Sequence, residues 1–226
     1  MDNIYRIKAI VFDMDGVIID STAEIENFWE SWAKKEEVIF NNDVIVKYIH
    51  GRTTNETIEQ LFSTSLPDVK KQIAISASDF DTAMRPELIE GVLNFLSRLS
   101  TLSVRIGLVT SSPKERVSNL LDLNSTYHFF NEIITGDDIK YGKPHPEPYL
   151  KIADKLKTAP EDCLVFEDSD SGIESALSAG MYVISINNNK INHKNIVAYT
   201  QNFSTLTIDN NQIKSLIEPY IQIDLV

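Results

Sequence analysis

Two carboxylates two residues apart, Asp13 and Asp15, close an apolar run in FDMDGV. On an extended chain they project to the same side. Like charges that close are costly to keep ionised unless a cation lies between them. A second acidic pair, Glu167 and Asp168, closes another apolar run, CLVFED. Between the two pairs, Thr110-Ser111-Ser112-Pro113 ends a third run, where a hydroxyl and free backbone N–H groups at a helix start make an anion site. Gly142-Lys143-Pro144 then fixes a basic residue in a stiff loop. Each feature alone has a plainer use. Strand-end hydroxyls commonly cap helices, an isolated lysine is usually a solvated charge, and Ser169 or Asp170 could cap a helix after the second acidic pair. The order carboxylates, hydroxyl, lysine, carboxylates, each behind its own apolar run, is far more specific than any one part.

The elements that must position these residues are short apolar runs rich in β-branched residues, at 8–15, 104–111, 131–136, 163–168 and 181–187. Each is too short and continuous for an amphipathic helix and reads as a buried parallel strand. Helical patterns lie between them. Leu88, Val92, Phe95, Leu96 and Leu99 share one face, and Val117, Leu120 and Leu121 follow Ser112 and Pro113, read as an N-cap and N1 pair. Leu150, Ala153 and Leu156 follow KPHPEP, and Ile173, Ala176 and Leu177 run to a stop at Ala179 and Gly180. Alternation of strand and helix predicts an α/β fold, a Rossmann-like parallel sheet with helices on both faces, whose sites lie at the strands' C-terminal ends.

One interval breaks the rhythm. Residues 20–86 carry no strong strand signal, while Ile25, Phe28, Trp29, Trp32 and Ala33 form a helical apolar face. Thr53 and Glu56 read as a capping box before Ile58, Leu61 and Phe62. The expected division is a core of residues 1–19 and 87–226 with a helical cap inserted at 20–86. Trp29 and Trp32 are expected in the cap's own core and Cys163 in a buried strand. The polar, Asn-rich stretch after Asn187 gives no clear element.

Net charge is −12. That argues against broad nucleic-acid binding, which needs a basic footprint. It leaves room for an anionic substrate, because a divalent cation and a few local bases can reverse the field inside one cleft. No apolar stretch approaches the ~20 residues of a membrane span, and the N-terminal run lacks the features of a secretory signal. A single cysteine cannot form an intrachain disulfide, which fits a reducing cytoplasm. Nothing in the chain calls for an obligate protein partner.

FDMDGVIIDS, LVTSS, GKPHPEPY and VFEDSDSGIESALSAGM together resemble the haloacid-dehalogenase superfamily, in its β-phosphoglucomutase-like branch. Within that branch AEIENFWESWAKK and YIHGRTTNETI are similar to the caps of sugar and polyol phosphatases, the glycerol-3-phosphate and 2-deoxyglucose-6-phosphate type. The resemblance implies Asp13 as nucleophile, and Asp15 as general acid–base with its carbonyl on the metal. It implies Mg²⁺ held by Asp13 and Asp168 with Glu167 as a ligand or its neighbour. Thr110, the Ser111 N–H and Lys143 would hold the phosphoryl group. His50, Gly51 and Arg52 would form the cap loop over a small phosphate ester, with Arg52 reaching a hydroxyl-bearing or anionic tail.

The main competing reading is a β-phosphoglucomutase, which passes the phosphoryl group back to a sugar. In the mutases a histidine on the first cap helix helps to gate the acid–base. Here that place is Ile25, which cannot hydrogen-bond, so hydrolysis is favoured. A catalytically silent binding module would be marked by loss of a motif residue, and none is lost. A dehalogenase fits less well, since the metal site and acid–base suit phosphate esters.

Overall fold

The computed structural model describes residues 5–187, 191–215 and 222–226. A six-stranded sheet forms its centre: β2 (Ala9–Phe12), β3 (Arg105–Val109), β4 (Glu132–Ile134), β5 (Cys163–Glu167), β6 (Tyr182–Ile186) and β7 (Ile196–Thr200). Their spatial order is β4-β3-β2-β5-β6-β7, and every neighbouring pair is parallel. The five strands expected from sequence are all present, so the Rossmann-like class holds. From β2 the chain builds outward on one side through β3 and β4, then returns to β2's other flank with β5. The C-terminal end of β2 is therefore the topological switch point, where open α/β sheets form clefts.

Both sheet faces are covered, which is why these strands read as unbroken apolar runs. Ala9 and Val11 face one side, against α7 (Glu147–Lys155) and α8 (Asp170–Ser178). Ile10 and Phe12 face the other, against α5 (Val92–Leu99) and α6 (Lys114–Leu123). Phe12 stacks on Phe166 at 5.0 Å between ring centroids and meets Phe95, Phe130 and Phe203 at 6.0–6.4 Å. This aromatic cluster lies immediately behind Asp13.

The described residues of the segment left unplaced by sequence supply further strands. Besides β7, it supplies β8 (Leu206–Asp209), β9 (Gln212–Ser215) and β10 (Gln222–Leu225), which join β1 (Tyr5–Ile7) in a four-stranded sheet ordered β1-β10-β9-β8. Ile208, Ile213, Ile223 and Leu225 add their buried side chains to the Phe12 side of the core.

Between β2 and α5 come four helices, α1 (Thr22–Lys35), α2 (Asn42–Tyr48), α3 (Thr54–Leu61) and α4 (Pro67–Ala83). They have their own apolar centre, which includes Trp29, Trp32, Ile58, Phe62 and Ile73. The Thr53–Glu56 capping box opens α3 as expected. The two links to the sheet pair with each other: Asp20 N–H donates to the Glu87 carbonyl and Ile89 N–H to the Ile18 carbonyl, both at 2.9 Å. Among the described residues no helix is long and apolar enough to cross a membrane.

Phe12→Ala should destabilise the fold by about 3–5 kcal/mol, the cost of an aromatic-to-alanine cavity. Denaturant unfolding checks it. A loss under about 1 kcal/mol would mean that the aromatic cluster does not support the strand under Asp13.

Candidate active site

The sheet positions the acids through its own ladder. β2 ends at Phe12, and the Asp13 N–H continues the pairing by donating to the Phe166 carbonyl at 2.9 Å. Asp13, Glu167 and Asp168 then meet, with one ligand oxygen of each within 4.8 Å of the others. Gly16 permits this approach. Its φ is +75°, and a Cβ there would lie 2.1 Å from Asp168 Oδ2, so a side chain is excluded on both counts.

Lys143 is placed at the centre of these acids. Its ammonium is 2.7 Å from Asp13 Oδ1 and also donates to Glu167 Oε1, and it is 1% exposed. Glu167 Oε1 accepts from Tyr149 as well, and its Oε2 accepts from the Ser169 N–H and hydroxyl, each at 3.0 Å. Both oxygens of Glu167 are thus committed, and the residue is fully buried behind the cavity that Asp13, Asp15 and Asp168 line.

Asp15 is held by a different cation. Arg116 Nη1 and Nη2 donate to its two oxygens at 2.6 Å, a bidentate pairing, and Ser21 and Ser112 hydroxyls complete four hydrogen bonds. The Arg116 Nε faces Asp81 Oδ1 at 3.0 Å. Arg116 therefore joins the loop after β2 to helix α4. Ser112 is not the helix cap expected from sequence. Pro113 occupies the N-cap position of α6, Ser112's hydroxyl is drawn to Asp15, and Asp137 Oδ2 accepts from the Lys114 N–H instead.

The hydroxyl loop and the 50–52 loop are tied together. Thr110 Oγ1 accepts from the Ser112 N–H, which leaves its own proton to donate. The Ser111 hydroxyl donates to the Gly51 carbonyl at 2.7 Å, Ser171 to the His50 carbonyl at 2.9 Å, and Arg52 Nη1 to the Lys143 carbonyl at 2.8 Å. Gly51 has φ +71°, and a Cβ there would meet Ser171 Oγ at 2.2 Å. His50 Nε2 lies 2.8 Å from Glu26. The structure places His50, Gly51 and Arg52 at the cleft. The His50 and Gly51 carbonyls and Arg52 Nη1 tie helical segment to sheet, while the His50 ring stays within the helical segment and Arg52 Nε is buried without a hydrogen-bond partner among the described residues. Ile25 also lines the cleft.

The cavity between sheet and helices has a volume of about 90 Å³, smaller than the several hundred usual for small-molecule sites. Ile25, Phe28, Trp29, Ile49, Ala77 and Phe80 give it an apolar wall opposite the acids. Burial, with Glu167 adding repulsion against Lys143's opposing pull, raises the Asp13 carboxyl to about 7. Burial beside Glu167 and Asp13 pushes Asp168 well above the usual carboxylate range. Asp15 goes the other way: burial works against its charge, but Arg116 and the two serines outweigh it and hold it low. Burial raises Asp81 to about 6 in spite of Arg116. Lys143 is held charged by its two carboxylates although burial opposes them.

Residues 10–186 match the family model described as haloacid dehalogenase-like hydrolase. The chain belongs to this hydrolase family. Hexitol phosphatase A of Escherichia coli strain K12 is 29% identical over 192 residues, spanning 80% of this chain and 84% of that protein. Beta-phosphoglucomutase of Bacillus subtilis strain 168 is 28% identical over 190 residues, 79% of this chain and 83% of that one. The crystal structure of a HAD hydrolase, family IA, variant 3, from Entamoeba histolytica superposes with a TM-score of 0.74 at 27% identity, covering 89% of this chain and 96% of that one.

In this haloacid dehalogenase-like hydrolase the donor chemistry suits a hard divalent cation. The clustered side-chain ligand atoms of Asp13, Glu167 and Asp168 are all carboxylate oxygens, which such ions prefer. The raised affinity of Asp13 and Asp168 for protons marks a shortage of positive charge that Lys143 alone does not fill. Sequence reading missed Arg116, Asp81, Ser21, Ser112 and Tyr149. Two of them left a trace. Arg116 stands on the same helical face as Val117, Leu120 and Leu121, and Asp81 on that of Ile73 and Ala77, and a charge set in an apolar stripe is a candidate for a buried partner.

A folded-state affinity for protons above the ordinary one favours folding at low pH and is lost as pH rises through about 7,. A cation that replaces those protons should therefore stabilise the protein more at pH 8 than at pH 5. Mg²⁺ at a hundredfold excess over its Kd should contribute about 2.7 kcal/mol at pH 8 and clearly less at pH 5. Thermal unfolding with and without Mg²⁺ checks this, and equal stabilisation at both values would contradict it.

Proposed function

We propose that the chain is a Mg²⁺-dependent phosphatase of sugar or polyol monophosphates that works through an aspartyl-phosphate on Asp13. The observation that carries this reading is the seating of Asp13, 2.7 Å from the buried Lys143 ammonium, on the same cavity as Asp15 and Asp168. The catalytic residue set is Asp13 and Asp15. The segment 20–86 is the cap that closes the leaving group away from water. Both hexitol phosphatase and phosphoglucomutase relatives are consistent with that substrate class.

In the first step an Asp13 carboxylate oxygen bonds to phosphorus as the bond to the leaving oxygen breaks, and Asp15 gives that oxygen a proton. In the second, water bonds to phosphorus, its proton passes to Asp15, and the Asp13–phosphorus bond breaks to release inorganic phosphate. Lys143 offsets the charge that gathers on Asp13 and the phosphoryl oxygens, and Glu167 and Tyr149 fix its place. The Thr110 hydroxyl and the Ser111 N–H donate to the phosphoryl oxygens. The Ser111 hydroxyl is spent on Gly51. Asp13, Asp168 and the Asp15 carbonyl would hold Mg²⁺, which supplies the positive charge that lets an anionic ester approach three carboxylates. Arg116 keeps Asp15 ionised, the form that accepts a proton from water, and must yield Asp15 when it carries a proton to the leaving group.

Ile25 separates hydrolysis from phosphoryl return. It offers no hydrogen bond to Asp15, so no side chain at that place on α1 delays the attack of water.

Asp13→Asn should fold and lose turnover by at least about 10³, since an amide does not replace the nucleophile. Wild type should release phosphate from sorbitol 6-phosphate or glucose 6-phosphate and stop in excess chelator. It should form no glucose 6-phosphate from β-glucose 1-phosphate with added bisphosphate. Near wild-type phosphate release by Asp13→Asn would overturn the nucleophile, and glucose 6-phosphate formation outpacing phosphate release would favour the mutase.

A further inference from the structure

A guanidinium is a planar fork with two faces that fit a carboxylate. It pairs end-on, through Nη1 and Nη2, or side-on, through Nε and one Nη. Arg116 uses the end-on face for Asp15, with Nη1 and Nη2 each 2.6 Å from one of its oxygens. The Ser112 hydroxyl donates to Asp15 Oδ2 at 2.9 Å and accepts from Nη1, which closes that end of the pair. At the side-on face stand Asp81 Oδ1, 3.0 Å from Nε, and Met84 Sδ, 3.3 Å from Nε and 3.2 Å from Nη2. Both come from the C-terminal end of α4. From this division of faces we infer that Asp81 is a positioning residue for the acid–base: by occupying the side-on face of Arg116 it pins Asp15 in the end-on register. The inference rests on the phosphatase reading and adds a residue of the helical segment to its machinery.

The other register lies close at hand. Arg116 is 3% exposed, and a buried guanidinium edge left without an anion is costly. Among the described residues, Asp15 and Asp81 are its two ion-pair partners. With Asp81 gone, Asp15 would be the carboxylate drawn to both faces. Met84 does not hold the edge by itself, because a thioether is an uncharged, weak acceptor. A turn from the end-on to the side-on face carries Asp15 around the guanidinium and away from the Ser112 hydroxyl. The register matters when Asp15 carries a proton. One oxygen then stays on Arg116 while the other is aimed at the leaving oxygen. General acid catalysis is worth about 10²–10⁴, and a misplacement of about 1 Å at a reacting group costs on the order of a hundredfold. The demand is graded by the leaving group. An alkoxide leaves poorly without a proton, whereas p-nitrophenolate leaves readily without one. Loss of the pin should therefore fall hardest on the most basic leaving groups.

The test measures kcat/KM for substituted phenyl phosphates, from p-nitrophenyl to unsubstituted phenyl, in Mg²⁺, with wild type, Asp81→Ala and Asp81→Asn. The series changes the basicity of the leaving group at nearly constant shape. A damaged fold, or a lost contact between Asp81 and the ester, lowers all its members together. The quantity kcat/KM covers phosphoryl transfer to Asp13, the step in which Asp15 gives up its proton. Asp81→Ala should lower phenyl phosphate by at least about tenfold relative to p-nitrophenyl phosphate. Asp81→Asn keeps an oxygen of the same reach against Nε, and its ratio should stay within about threefold of wild type. If the alanine variant does not fold, Asp81→Ser, too short to reach Nε, takes its place with the same expectation. An unchanged ratio in the shortened variant would overturn the inference and leave the phosphatase reading intact. So would a ratio in Asp81→Asn as low as in Asp81→Ala, since Asp81 would then act by its charge and not by filling the face. No phosphate from any aryl or sugar ester in wild type would overturn the phosphatase reading and the pin with it.

Discussion

The constraint on which the rest depends is one buried ammonium shared by two carboxylates. Lys143 lies between Asp13 and Glu167 at 1% exposure. An isolated charge there would be prohibitive, so the partners must be delivered by rigid elements. β2 and β5 do this as adjacent parallel strands in register, Phe12 opposite Phe166. Tyr149 on α7 and Ser169 at the start of α8 then use up the oxygens of Glu167. What remains facing the cavity is Asp13 and Asp168, more negative charge than Lys143 offsets. The packing that buries the lysine is thus also what creates the demand for a second cation.

A second cation, Arg116, solves a different problem. Lys143 is enclosed in the sheet and serves the fixed end of the reaction. Arg116 bridges α6 to α4 and so connects Asp15 to the helical segment through Asp81. Three more contacts, from Ser111, Ser171 and Arg52, cross the same boundary at the 50–52 loop. These links join main-chain carbonyls to side chains on loops that end strands or begin helices. Any shift of the helices relative to the sheet would therefore be felt at Asp15 and at the Lys143 loop together.

Five of the six strands of the central sheet, and the acids that end β2 and β5, were legible because burial on both faces leaves unbroken apolar runs with abrupt polar ends. The Thr53–Glu56 box was legible because it is a local bond pattern. Ser112 was misread for the opposite reason: a local capping signal lost to a distant carboxylate, Asp15. Strands β8, β9 and β10 escaped notice because their apolar patterns are too short to stand out: two residues in alternation in β8 (Leu206 and Ile208) and β10 (Ile223 and Leu225), and Ile213 alone in β9. Arg116 and Asp81 lie 35 residues apart on different helices, so their pairing appears only once α4 and α6 are packed. The resemblance of HGRTTNETI indicated a loop over the cleft, but not that Arg52 would bind the main chain beside Lys143.

The most direct measurement is the fate of the phosphoryl group in a single turnover. Enzyme in excess, mixed with radiolabelled glucose 6-phosphate and Mg²⁺, is quenched in acid within milliseconds, digested and mapped by mass spectrometry. A transient acid-stable, base-labile phosphate on the peptide that carries Asp13 is expected, decaying as inorganic phosphate appears. Label on any other residue would contradict the account of the site. So would phosphate release with no covalent label at any time point, under conditions that trap acyl phosphates in a control enzyme.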